Sequence, residues 1–116
     1  MQLLVYITNQ GNKMPELLSA LMEEGVSGAS VLNCEGMLHM LATASGVERP
    51  AMFGRIRNLF NDEDVDGKMM IAVMPDEKIL NAQAVIERIC GDFKQPNTGI
   101  MFTVPVMHFE GVTHKQ

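Results

Sequence analysis

Two stretches of this chain carry residues whose types and spacing suit the capture of a small ligand. The first is Gly91-Asp92-Phe93-Lys94-Gln95-Pro96-Asn97-Thr98-Gly99, which runs directly into the apolar segment Ile100 to Val106. Glycine, proline and asparagine at this density predict a turn-rich loop. Successive backbone N–H groups in such a loop make an anion-binding concavity, and the amides of Gly91, Asp92 and Gly99 are the candidates for it. Lys94 adds a cation within the loop, with Arg49, Arg55, Arg57 and Arg88 as further candidate partners, whereas the Asp92 carboxylate would repel an anion. The second stretch holds Cys34, Met37, His39 and Met40. Thiolate, thioether and imidazole are donors that suit Cu(I) or a similar soft ion, so Cys34 and His39 are candidate metal ligands. Strand-like alternation would send neighbouring members of this group to opposite faces, so packing at the base of a loop competes with ligation.

Other chemistry is excluded by pattern. Asp62-Glu63-Asp64-Val65-Asp66-Gly67 opens like a calcium loop, but the twelfth position is Val73 where a bidentate Glu is required. It reads as a solvated acidic turn. The chain has no nucleophile elbow, no P-loop, no dinucleotide fingerprint and no zinc-spaced histidine pair, so it reads as a binding protein and not as an enzyme.

The elements that must position these residues follow from periodicity. Gln2 to Thr8 is a strand apolar on both faces, with Leu3, Val5 and Ile7 on one side and Leu4 and Tyr6 on the other. Asn12 is a candidate N-cap for a helix with Pro15 in its first turn; Met14, Leu17, Leu18 and Leu21 form its apolar stripe, and Gly25 ends it. Ser27 to Cys34 predicts a more polar edge strand. The stretch 35–67 is irregular, a long loop in which Met52 to Phe60 could form a short helix. Lys68 to Met74 is a second strand apolar on both faces. Pro75-Asp76 starts a helix on which Ile79, Ala82, Ile86 and Ile89 share a face and which Gly91 ends, and the strand Ile100 to Val106 follows.

That order predicts an α+β, ferredoxin-like βαββαβ fold: a four-stranded antiparallel sheet, two helices on one face, and the long loop between strands 2 and 3. The first and third strands are central. Two helices cover only one side of such a sheet, so the other apolar side needs a protein partner, and a homo-oligomer is the economical expectation.

At 116 residues the chain makes one domain, 1–116, with 35–67 as its long loop region. A formal charge of −5 with only nine scattered basic residues argues against nucleic acid as a partner. No apolar run nears the ~20 residues of a membrane span, and Met1-Gln2-Leu3-Leu4 lacks a basic targeting segment, so no membrane insertion and a cytoplasmic location are expected. Cys34 and Cys90 are then reduced packing residues, and eleven methionines supply an adaptable core.

Gly25-Val26-Ser27-Gly28-Ala29-Ser30-Val31, then Gly36, then Val73-Met74-Pro75-Asp76-Glu77, and finally Thr98-Gly99-Ile100-Met101-Phe102-Thr103-Val104-Pro105-Val106 resemble the PII signal-transduction family in order and spacing over nearly the whole chain. The resemblance implies a ferredoxin-like homotrimer whose sheets pack around a three-fold axis. It also implies adenine-nucleotide binding in clefts between subunits and docking of the long loop onto a target protein. Carried over by position, the ligand-binding candidates are Gly36, Met37, Gly91, Asp92, Lys94, Thr98, Gly99 and Ile100. Ile100 stands where the family has a basic phosphate ligand, and Met40 where nitrogen-sensing members have a magnesium-binding glutamine; a thioether is a poor ligand for that hard cation. The loop also lacks a tyrosine to accept uridylylation. The resemblance is thus to a PII-like member outside the nitrogen regulators, sensing a small anionic metabolite or nucleotide, with the cofactor unidentified and an adenine nucleotide as candidate. Two other readings stay open: a metal-binding trimer resembling the CutA family, and a ligand-independent interaction module.

Overall fold

A computed structural model describes residues 1–43, 66–96 and 98–111. The predicted Met52–Phe60 helix, Arg49, Arg55, Arg57, Asn97 and the first four residues of the acidic turn lie outside the described residues.

Strand β1 (Gln2–Thr8) is the axis of the fold. It pairs antiparallel with β3 (Lys68–Met74) on one side and with β4 (Ile100–Pro105) on the other, and β3 pairs antiparallel with β2 (Ala29–Asn33). The resulting order, β2-β3-β1-β4, is the ferredoxin-like βαββαβ arrangement. The strands apolar on both faces are the two central ones, because only a central strand can bury both sides of an apolar run. Register fixes which side chains share a face: Leu4 lies opposite Ala72 and Thr103, and Tyr6 opposite Met70 and Met101. This face meets helix α1 (Met14–Glu23), through Met14, Leu17 and Leu21. It also meets a second long helix (Ile79–Cys90), through Ala82, Val85, Ile86 and Cys90. Tyr6, Leu4, Leu17, Met70 and Ile86 are fully buried there.

Local departures from the sequence expectation have physical causes. A 3-10 turn, Gly11–Lys13, precedes α1, so Asn12 lies inside a turn and makes no capping bond; Lys13 occupies the cap position and Pro15 the first turn. Gly11 is needed where it is, because its amide donates to Asp66 O at 2.8 Å and a side chain would run into Asp66 and Lys68. The second strand is shorter than Ser27–Cys34: Ser27 and Gly28 are exposed and unpaired, and Cys34 leaves the ladder to donate its amide to Gly67 O at 3.0 Å. The largest correction falls in the stretch read as irregular. Met37–Thr43 forms a helix, α2, started by the Met40 amide on Gly36 O at 2.9 Å. The helix Ile79–Cys90 is therefore α3, and a 3-10 turn, Asp76–Lys78, leads into it.

The opposite face of the sheet holds Leu3, Val5 and Ile7, matched to Val73, Ile71 and Met69 on β3 and to Val104, Phe102 and Ile100 on β4. Each of these nine side chains is apolar. Both long helices pack on the other face, and Ile100, Phe102 and Val104 are 56%, 43% and 44% exposed. Among the described residues no helix is long and apolar enough to cross a membrane.

Candidate functional site

The end of β1, the start of β4 and the two roots of the segment between β2 and β3 converge at one end of the sheet. The loop leading into β4 is built on tertiary anchors. Gly91, which ends α3 with φ 111°, lies against the Thr98 methyl, and its amide donates to Glu87 O at 3.1 Å. Gly99 has φ 109° and leaves no room for a Cβ between Ile7 O and the Tyr6 ring. Tyr6 explains that crowding: its phenol donates to Thr98 O at 2.8 Å from inside the core, and Phe93 meets its ring edge-on at 5.9 Å. Burial, reinforced by the neighbouring Cys90 thiol, raises the Tyr6 phenol above its ordinary value, so it remains a donor across the physiological range. The Thr98 hydroxyl in turn donates to Gln95 O at 3.0 Å. The last carbonyls of α3 are capped by Gln10 Nε2 on Cys90 O at 3.1 Å and Lys13 Nζ on Ile89 O at 3.4 Å, which ties the α1 entrance to the start of this loop.

Two of the loop's amides, those of Lys94 and Gln95, are spent on Asp92 within the loop itself. Asp92 turns inward: its Oδ1 accepts from the Lys94 amide at 2.8 Å and its carbonyl from the Gln95 amide at 2.9 Å. The carboxylate thus occupies the place an external anion would take, as Asp does in an Asx turn. Of the amides assigned to an anion nest from sequence, that of Gly91 is engaged with α3.

The roots of the long segment are clamped by the Cys34–Gly67 bond, by the Asp66 amide on Asn9 O at 3.1 Å, and by Lys68. The Lys68 ammonium donates to Asn33 Oδ1 at 2.6 Å and Asp66 Oδ1 at 2.8 Å. Gly67 is required here, because any side chain would strike the Cys34 carbonyl. One turn into α2, His39 Nδ1 lies 2.7 Å from Glu35 Oε2.

Two hollows open between these parts. One, of about 240 Å³, is apolar and lined by Ile7, Thr8, Asn9, Gly36, Gly99 and Ile100. The other, of about 290 Å³, is polar: Asn33, Cys34, Glu35, His39, Asp66, Gly67 and Lys68 line it together with Asn9 and Gly36. Of the ligand-binding residues proposed from sequence, Gly36, Gly99 and Ile100 come together in the apolar hollow. Met37 lies beyond it on α2, 74% exposed, Thr98 is buried as a loop anchor, and Gly91, Asp92 and Lys94 line neither hollow. Cys34 and His39 share the polar hollow, but among the described residues no group of three or more His, Cys, Asp or Glu side chains is arranged to hold a metal ion. Sequence reasoning missed Ile7, Thr8, Asn9 and Lys68. The available signal was Asn9-Gln10-Gly11, a turn directly after a strand buried on both sides, which marks the end of a central strand as the floor of a cleft. No family model matches the chain, and no curated protein matches it.

Proposed function

We propose that this chain is a PII-like small-molecule-sensing regulatory protein, a cytoplasmic homotrimer that acts on a protein target through the 35–67 segment. The observation that carries the reading is the apolar hollow in which Gly36, at the root of that segment, joins Gly99 and Ile100 of the β4 loop. A ligand seated there touches both parts. Its binding free energy therefore biases the segment between arrangements to the extent that it prefers one of them. The apolar face opposite the two long helices, where Ile100, Phe102 and Val104 are exposed among the described residues, supports self-association, since a contiguous patch of this kind is unusual on a monomer.

Thermal shift with a panel of nucleosides, nucleotides, cyclic nucleotides, amines and carboxylates tests the ligand, and light scattering tests the assembly. The expected results are a particle of three chains and stabilisation by at least one compound, of about 2.7 kcal/mol at 100 times its dissociation constant. A monomer, or a panel without effect, overturns the reading. A second reading, a ligand-independent interaction module, is favoured by α2, whose Met37, Leu38 and Met40 are exposed. Target capture unchanged by every compound of the panel would select it.

A further inference from the structure

The apolar and polar hollows adjoin through Asn9 and Gly36, which line both, and together they fall within the roughly 300–1,000 Å³ of small-molecule sites. The charges at the polar end decide what can enter. Lys68 is the one ammonium among the described lining residues, and it already serves Asn33 and Asp66. Two carboxylates line the same end: Asp66, which accepts from Lys68, and Glu35, which lies 2.7 Å from His39 Nδ1. At the apolar end Ile100 presents hydrocarbon, and in the nearby loop the Gly91, Lys94 and Gln95 amides are taken up by Glu87 and Asp92. An anion entering this cleft gives up water and, among the described lining residues, meets one ammonium, already shared between Asn33 and Asp66, and so gains less than it would from an unshared cation. A neutral hydrogen-bonding group loses far less, and an ammonium group gains from the carboxylates.

We propose that this cleft takes a small molecule with an apolar body and a neutral or cationic hydrogen-bonding end, and that it discriminates against polyphosphates. The inference rests on the sensor reading above and narrows its ligand class away from the anion that the sequence suggested. The apolar end accepts the body beside Ile7 and Ile100, while the polar end meets the hydrogen-bonding group with Asn33, Asp66 and Glu35.

A matched series separates charge from shape: 5′-amino-5′-deoxyadenosine, adenosine, AMP and ATP share one flat body and differ at one end. Titration calorimetry on the full chain at fixed ionic strength is expected to rank the amine and adenosine at least tenfold tighter than ATP. Ile100→Lys places a cation at an exposed position and is expected to strengthen ATP binding about tenfold while changing adenosine less. Asp66→Asn, which replaces the charged acceptor on Lys68 with a neutral one and so leaves more of the ammonium's charge for a ligand, is expected to shift the preference in the same direction by a smaller factor. ATP binding as tightly as adenosine, or tighter, overturns the proposal and leaves the sensor reading standing. Binding only of a carboxylate from the wider panel has the same two consequences. A panel in which nothing binds removes both.

Discussion

The two faces of the central sheet are built from the same kinds of residue and meet opposite fates. On one, Leu4, Tyr6, Met70, Ala72 and Met74 disappear beneath α1 and α3. On the other, Leu3, Ile7, Met69, Ile71 and Val73 stay partly exposed around a buried Val5, and the apolar surface extends onto the exposed Ile100, Phe102 and Val104. Hydrophobicity alone therefore does not decide what is core within a single chain. Connectivity does, because both crossover helices fall on one side of a sheet when both crossovers share one hand. The covered face holds the chain folded; the open face is the surface available for association.

Substitutions that separate these roles sharpen the contrast. Leu17→Ala, on the covered side, is expected to cost about 2–5 kcal/mol, read as a lowered urea midpoint with unchanged slope. Phe102→Asp, on the open side, is expected to leave the chain folded by circular dichroism while weakening self-association at least tenfold, about 1.4 kcal/mol, in sedimentation or light scattering. If Phe102→Asp instead unfolds the chain, the division of labour between the faces fails. Tyr6→Phe takes the donor from Thr98 O without changing packing volume, and a loss of about 1–3 kcal/mol is expected from the stranded carbonyl. The same variant carries a pH signature. The phenol is raised in the folded state, so its contribution is complete below its unfolded value near 10 and is lost as pH climbs beyond it. Tyr6→Phe should therefore flatten the alkaline limb of the stability curve. The smallest effect belongs to Asp76, held below the usual carboxylate value of 3.8 by hydrogen bonds from the N-terminal amine and Gln2, and by the charge of that amine. Its contribution is present above the unfolded value and is lost as pH falls through the folded one. Asp76→Asn should make the acid limb slightly shallower, and an unchanged limb would show that this exposed pair contributes nothing.

Most of the sheet was legible because unbroken apolar runs declare central strands: Gln2–Thr8 and Lys68–Met74 stand at their expected limits. The second strand blurred at its start, where Ser27 and Gly28 have no ladder partner to define them. Helix α2 was illegible for a different reason. Its seven residues are too few for periodicity to distinguish a helix from a packed loop, and its exposed Met37 and Met40 show no apolar stripe directed at a core. The cleft lies between these cases. Gly36, Gly99 and Ile100 could be picked out as positions, but the inward turn of Asp92 and the pairing of Lys68 with Asn33 depend on contacts across the fold that spacing does not encode.

The clamp at Asn33, Cys34, Asp66, Gly67 and Lys68 bears on how much change in length the chain tolerates. It closes the base of the segment between β2 and β3 with backbone and side-chain bonds among residues at and just beyond the strand ends, so the two strands are joined below that segment. Closing a longer or shorter insertion on such a stem changes the chain entropy by only about 0.6 kcal/mol per doubling of length. A longer or shorter chain between residues 43 and 66 is therefore expected to leave the sheet intact.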